Sequence, residues 1–208
     1  SEVGGGVARG GDAGIVYGLT VWDDGTGPAL FVGGFFESAG GVAADHVAKW
    51  DGQEWSALGA GTDHAVQCLA TYDDGRGEAL YCGGPFRRAG GVALTSYIAR
   101  WDGRAWEALG DGLYGGVLGV TSMLAFDDGH GPSLFVGGSF TFAGAMELRY
   151  FGRWDGQDWV SPGRDQITYR SPGYPAHIDE MVAWDDGRGV ALFLTGEFED
   201  RQGNECIV

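Results

Sequence analysis

The sequence predicts an all-β chain of repeated, four-stranded antiparallel units, and three recurring blocks of residues carry that prediction. Asp-Asp-Gly occurs at 23–25, 73–75, 127–129 and 185–187. Trp-Asp-Gly occurs at 50–52, 101–103 and 154–156. Between them stands an apolar block, Leu-Phe-Val-Gly-Gly-Phe-Phe at 30–36, Leu-Tyr-Cys-Gly-Gly-Pro-Phe at 80–86 and Leu-Phe-Val-Gly-Gly-Ser-Phe at 134–140, with a decayed copy, Leu-Phe-Leu-Thr-Gly-Glu-Phe, at 192–198. Asp-Gly steps mark hairpins, because glycine takes the positive φ that such turns require. Runs of Val, Leu, Phe, Tyr and Trp suit a pleated, mostly buried surface. No window shows the apolar period of a capped helix.

The elements follow in order within each unit. In the second, strands are expected at residues 66–72, 79–84, 97–101 and 105–109, with Asp-Asp-Gly closing the first hairpin and Trp-Asp-Gly opening the last. The same template places units at 15–61, 66–112 and 117–163, an incomplete one at 178–208, and a stray fourth strand at 1–6. The whole chain, 1–208, is then one domain. Four-stranded units of roughly 50 residues are the size of propeller blades, so the expected architecture is a β-propeller with about four blade equivalents. The ends fall inside strands, which favours part of a longer propeller; closure of the last blade by the N-terminal strand is the alternative.

In these residues the chain resembles the kelch-type β-propeller repeat. The shared features are an apolar strand ending in Gly-Gly (33–34, 83–84, 137–138), an aromatic on the third strand (Trp50, Trp101, Trp154) and a Trp on the fourth (Trp55, Trp106, Trp159). It departs in using Trp rather than Tyr on the third strand, and in Thr195-Gly196. Within that family it looks most like the glycine-rich repeats of large secreted bacterial proteins of unassigned function. The resemblance implies an extracellular or cell-surface location. One kelch-fold enzyme, galactose oxidase, carries a copper site, and nothing here matches its residues.

Composition narrows the function classes. The net charge of −16 disfavours nucleic acid and anionic membrane as partners. No run is long and apolar enough for a membrane helix, and no basic, apolar leader opens the chain. Glycine is 41 of 208 residues without a Gly-X-Y period, which points to many tight turns. The three cysteines, Cys68, Cys82 and Cys206, form no Cys-x-x-Cys pair. Cys68 and Cys82 are equidistant from Gly75, so they either face each other across a hairpin as a disulfide or are two small buried residues.

Candidate chemistry is sparse. All eight tryptophans sit at repeat positions, including Trp22 and Trp184 before Asp-Asp-Gly. A residue type needed in every unit serves packing, with sugar stacking as the alternative. The aspartates of Asp-Asp-Gly are read as turn-formers, with calcium as the alternative. Lys49, Arg100 and Arg153 precede the Trp of Trp-Asp-Gly and should point away from it, since strand faces alternate. No metal, cofactor or catalytic residue is expected: the four histidines share no metal spacing, and no nucleophile elbow, phosphate loop or zinc motif occurs.

The first-to-second and third-to-fourth turns are nearly constant, while the second-to-third and fourth-to-first loops vary in length and type and are expected to emerge at one end. These hold Asp45, His46, Asp63, His64, Tyr97, Tyr114, Arg149, Tyr150 and, in the insert at 162–177, Arg164, Tyr169, Arg170, Tyr174 and His177. Variable loops on a rigid scaffold are where binding resides, and Tyr and Arg anchor interfaces. The expected function is a non-catalytic binding or scaffold module for protein or glycan, with further propeller blades of the same parent chain as possible neighbours. A glycan-active enzyme and a calcium-stabilised structural array are the alternatives.

Overall fold

The structure, a computed structural model, describes residues 3–161, 176–185, 187 and 189–197. Every regular element among them is a β-strand. Unit one is the antiparallel sheet Ile15–Asp23, Pro28–Phe35, Val47–Trp50 and Trp55–Ala57, in sequence order. Unit two repeats it with Cys68–Asp73, Glu78–Gly83, Ile98–Trp101 and Trp106–Glu107, and unit three with Val120–Asp127, Pro132–Gly138, Phe151–Trp154 and Trp159–Val160. Unit four is described as the hairpin His177–Asp185 and Val190–Glu197. No helix long and apolar enough to cross a membrane is present among the described residues.

The turns explain the repeated aspartates. The first Asp of each Asp-Asp-Gly accepts two backbone N–H bonds through one oxygen: Asp23 from Gly25 and Gly27, Asp73 from Gly75 and Gly77, Asp127 from Gly129 and Gly131, Asp185 from Gly187 and Gly189, all at 2.8–3.2 Å. The second Asp reaches sideways to the cation on the third strand, pairing Asp24 with Lys49 at 2.6 Å, Asp74 with Arg100 at 3.1 Å and Asp128 with Arg153 at 3.1 Å. Those cations therefore lie on the face opposite the adjoining tryptophan, as strand alternation requires. The Asp of Trp-Asp-Gly caps its own turn: Asp102 accepts from the N–H groups of Arg104 and Ala105, both at 2.7 Å. These local bonds, led by the one from Ala105, hold its carboxyl below the usual carboxylate range.

The paired tryptophans pack. Trp50 and Trp55, Trp101 and Trp106, and Trp154 and Trp159 meet as tilted rings with centroids 5.1–5.3 Å apart. The four of units two and three are buried. Trp106 donates its indole N–H to the Leu58 carbonyl at 2.8 Å, and Trp159 donates to Leu109 at 3.1 Å. In each case the acceptor lies just beyond the preceding unit's fourth strand. The glycine after it, Gly59 or Gly110, lies over the same ring pair, and Gly4 takes the corresponding place over Trp50 and Trp55.

The Gly-Gly block is a packing requirement with two separate causes. A Cβ on the first glycine would come within 2.5–2.7 Å of the next unit: Val66 at Gly33, Val120 at Gly83, Ile178 at Gly137. A Cβ on the second would strike a carbonyl of its own unit's first strand or the residue leading into it, 2.1–2.2 Å away: Ile15 at Gly34, Ala65 at Gly84, Gly119 at Gly138. The first strands lie side by side, Ile15–Asp23 against Cys68–Asp73, that against Val120–Asp127, and that against His177–Asp185. The core accordingly sits between sheets. One cluster joins Trp22, Phe31 and Val47 to Leu80, Cys82 and Trp101; the next joins Tyr72 and Tyr81 to Val120, Leu134 and Trp154.

Cys68 and Cys82 are free thiols. The register sets Asp73 opposite Glu78, so the hairpin centre falls between Gly75 and Arg76 rather than on Gly75. Cys68 then opposes Gly83, Cys82 opposes Leu69, and the two side chains take opposite faces of the sheet. Cys68 packs with the cluster between units two and three, and Cys82 lies in the cluster between one and two. Burial pushes both thiols well above their usual range. Cys206 lies outside the described residues.

Candidate functional site

At the end of the sheets where the loops vary, the chain entering each unit pairs with that unit's second-to-third hairpin. Val7–Arg9 pairs with Ser38–Ala39, Thr62 bridges Ala89, and Leu113–Tyr114 pairs with Phe142–Ala143. Beside these small sheets, three of the expected site residues prove to be one structural position. His46, Tyr97 and Tyr150 each enter a third strand with positive φ, at 68°, 67° and 74°. Each donates its N–H to the phenylalanine of the Gly-Gly-x-Phe block (Phe36, Phe86, Phe140). Each accepts, on its carbonyl, the N–H of the second glycine (Gly34, Gly84, Gly138). All three are buried, at 9%, 1% and 3% exposure. A left-handed backbone at a bulky residue is strained. Recurring in every complete unit, it serves the sheet's end closure.

The other expected residues differ in type from unit to unit, and they divide by location. Asp63 accepts the N–H groups of Arg87 and Arg88 at 2.7 and 3.0 Å, bracing unit two's hairpin. Asp45 is exposed, and its carbonyl accepts from Thr62 at 3.0 Å. Tyr114 is exposed, stacks on Phe142 at 5.5 Å and donates to the Gly144 carbonyl. Arg149, with φ of 47°, donates to Glu147 at 2.8 Å. His177 begins the first strand of unit four and pairs with Asp179 at 3.1 Å. Arg164, Tyr169, Arg170 and Tyr174 lie outside the described residues.

One group comes together across the joint between units one and two. Phe35 stacks on His46 with centroids 5.5 Å apart and planes 8° from parallel. It also stacks on His64 at 5.7 Å and 24°. The Arg9 guanidinium lies over the Phe35 ring, 4.0 Å from its centroid, a cation–π contact. His64 and Arg9 are exposed, Phe35 is half-buried and His46 is buried beneath them. The His64 ring is fixed through Nδ1, which accepts from the Ala65 N–H at 2.8 Å. Sequence reasoning reached His46 and His64 but missed Phe35 and Arg9. A usable signal existed: Phe35 is the one variable residue in the Gly-Gly-x-Phe block, with Pro85 and Ser139 at its counterparts.

The platform presents ring faces and a guanidinium edge, with a buried imidazole beneath them. Burial lowers the His46 pKa, only partly opposed by the Asp45 charge, so His46 is neutral in the folded chain near neutral pH. The Nδ1 atom of His46 is buried without a hydrogen-bond partner. Among the described residues, no group of three or more His, Cys, Asp or Glu could hold a metal ion. A prediction follows from the repeat itself. Because the folded pKa lies below the unfolded value, the unfolded chain gains a proton first as pH falls through about 6.5, and stability drops there. His46→Tyr, which installs the residue of units two and three, should flatten the fall in urea midpoint between pH 7 and 5. An unchanged slope would place the acid sensitivity elsewhere.

Comparison of the chain with known protein families, with curated proteins and with solved structures gives no match.

Proposed function

We propose that this chain is a non-catalytic binding or scaffold module built of kelch-like propeller blades, belonging to a secreted or surface protein. In this reading protein or glycan ligands are taken up on the loop end. The propeller reading is supported by three successive four-stranded meanders whose first strands pack neighbour to neighbour. The observation that carries the binding reading is the Arg9–Phe35–His64 platform. It stacks a cation and two rings at the accessible end of one joint, and the corresponding positions are Pro85 and Leu118 at the next joint and Ser139 and Ala176 at the one after. Ring faces of this kind hold the apolar side of a sugar or an aromatic side chain, and the guanidinium adds a hydrogen-bonding edge.

The test uses substitutions the fold already accepts elsewhere. Phe35→Ser with His64→Ala copies the joint between units three and four and should keep a single cooperative unfolding transition. Wild-type protein is applied to arrays of immobilised oligosaccharides and of surface-protein peptides. The expected result is retention of one ligand class, reduced at least about tenfold in the double variant, the loss of one good stacking contact. Equal retention of both proteins, or none by wild type, would overturn the reading.

A further inference from the structure

One side chain of the platform has a position that depends on its own charge. His64 is exposed, yet its ring is tied: Nδ1 accepts the Ala65 N–H at 2.8 Å. A ring nitrogen that accepts carries no proton, so this imidazole is neutral with its proton on Nε2. The backbone around it is held independently. Thr62 donates its hydroxyl to the His64 carbonyl at 2.7 Å, and Val66 donates its N–H to the Gly34 carbonyl at 3.0 Å. Ala65 itself is buried. The ring is therefore the part that can move.

A second proton on the ring opposes this arrangement twice. It puts an N–H where the Ala65 N–H already points, which ends that bond. It also sets another cation against Phe35, whose ring already lies 4.0 Å from the Arg9 guanidinium. The neighbouring acids are already engaged. Glu37, on unit one's hairpin, meets Arg9 at 3.5 Å and accepts the Gly10 N–H at 3.2 Å. Asp63, at the entry to unit two, accepts the N–H groups of Arg87 and Arg88. Asp45 acts on His46, the other imidazole stacked on Phe35. These acids are matched in number by Arg9, Arg87 and Arg88.

We infer that His64 is a proton-operated latch on the platform. Neutral, it is tied to Ala65 and stacked on Phe35, and the platform is formed. Charged, it lets go of Ala65, swings off Phe35 and releases a ligand held there. The release of ligand rests on the binding reading above, whereas the latch does not. The counterparts of His64 at the next two joints, Leu118 and Ala176, have no ring nitrogen, so only this joint responds.

Amide exchange at Ala65 and ring-nitrogen NMR of His64 test the latch in the whole chain, between about pH 7.5 and about pH 5. At the upper pH the ring should be the Nε2–H tautomer and Ala65 protected. As the ring gains its second proton, Ala65 protection, corrected for the intrinsic pH dependence of exchange, should fall about tenfold, the loss of one hydrogen bond. His64→Asn offers a side-chain oxygen to the same N–H and does not titrate, so its protection should stay level. His46→Tyr should keep the fall, which separates the latch from the acid sensitivity of the fold. The latch is overturned by protection that holds while the His64 ring charges, by a ring still neutral at the lower pH, by an equal fall in His64→Asn, or by a fall abolished in His46→Tyr. An immobilised oligosaccharide or peptide that retains wild type at the upper pH should release it at the lower. Retention that persists while Ala65 opens overturns the gating. Retention at neither pH overturns the binding reading and the gating with it, while Ala65 exchange still decides the latch.

Discussion

Asp74→Ala is expected to destabilise the chain by about 3–5 kcal/mol, read as a lower urea midpoint at unchanged slope. The Asp74 side chain is fully buried and gathers three partners: the Arg100 guanidinium at 3.1 Å, the Tyr81 hydroxyl at 3.0 Å and the Arg76 side chain. Arg100 is itself only 4% exposed. Removing the carboxylate leaves a buried cation facing mainly Glu107, which is partly in water. The units grade this prediction. Asp24 with Lys49 is nearly as enclosed, whereas Asp128 is 30% exposed, so the cost should fall in the order Asp74, Asp24, Asp128. Arg100→Lys with Tyr81→Phe, which copies unit one, should lose far less than Asp74→Ala. Burial alone would raise the Asp74 pKa, but the hydrogen bonds from Arg76 and the Arg100 charge outweigh it and hold the carboxyl below its ordinary value. A depressed folded pKa means that the contribution is present above about pH 4 and is lost as pH falls through the folded value. Equal sensitivity of wild type and Asp74→Ala below pH 4 would contradict this.

Gly84→Ala should be comparably damaging, about 3 kcal/mol or more. The added Cβ would sit 2.2 Å from the Ala65 carbonyl oxygen, and no side-chain rotation relieves a clash with backbone. The cost is one of space and not of backbone conformation, since Gly84 does not have positive φ. Gly34→Ala and Gly138→Ala should behave alike, because Ile15 and Gly119 place their carbonyls in the same way. Thermal melts of the three variants check this. A variant melting within a degree or two of wild type would show that the first strand can move aside.

How much of this was legible depended on how local each cause was. The hairpins are set by Asp and Gly within a few residues, so Asp73, Gly75 and Gly77 announce their turn in the sequence. The tryptophan pairs are five residues apart across such a turn, and their recurrence separates packing from a single binding site. The site was less legible, for two physical reasons. His46 stands where units two and three have Tyr97 and Tyr150, and unit two's loop is one residue longer than the other two, which disguises a shared left-handed position. Phe35 and Arg9 are far apart in sequence and meet only because an incoming strand pairs with a hairpin tip. The cysteine register failed by half a residue, since counting to Gly75 cannot reveal that Arg76 shares the centre of the turn.

The indole bonds from Trp106 to Leu58 and from Trp159 to Leu109 also give the array a direction. Each of these outer hairpins is latched by a carbonyl on the chain that precedes it, whereas the bonds donated forward, from Tyr72 to the Pro132 carbonyl and from Thr121 to the Ile178 carbonyl, hold first strands and their turns. Fraying that starts at the N-terminal side releases the next latch in turn. Fraying from the C-terminal side leaves the upstream latches closed. A unit's outer hairpin should therefore loosen sooner when the unit before it frays than when the unit after it does.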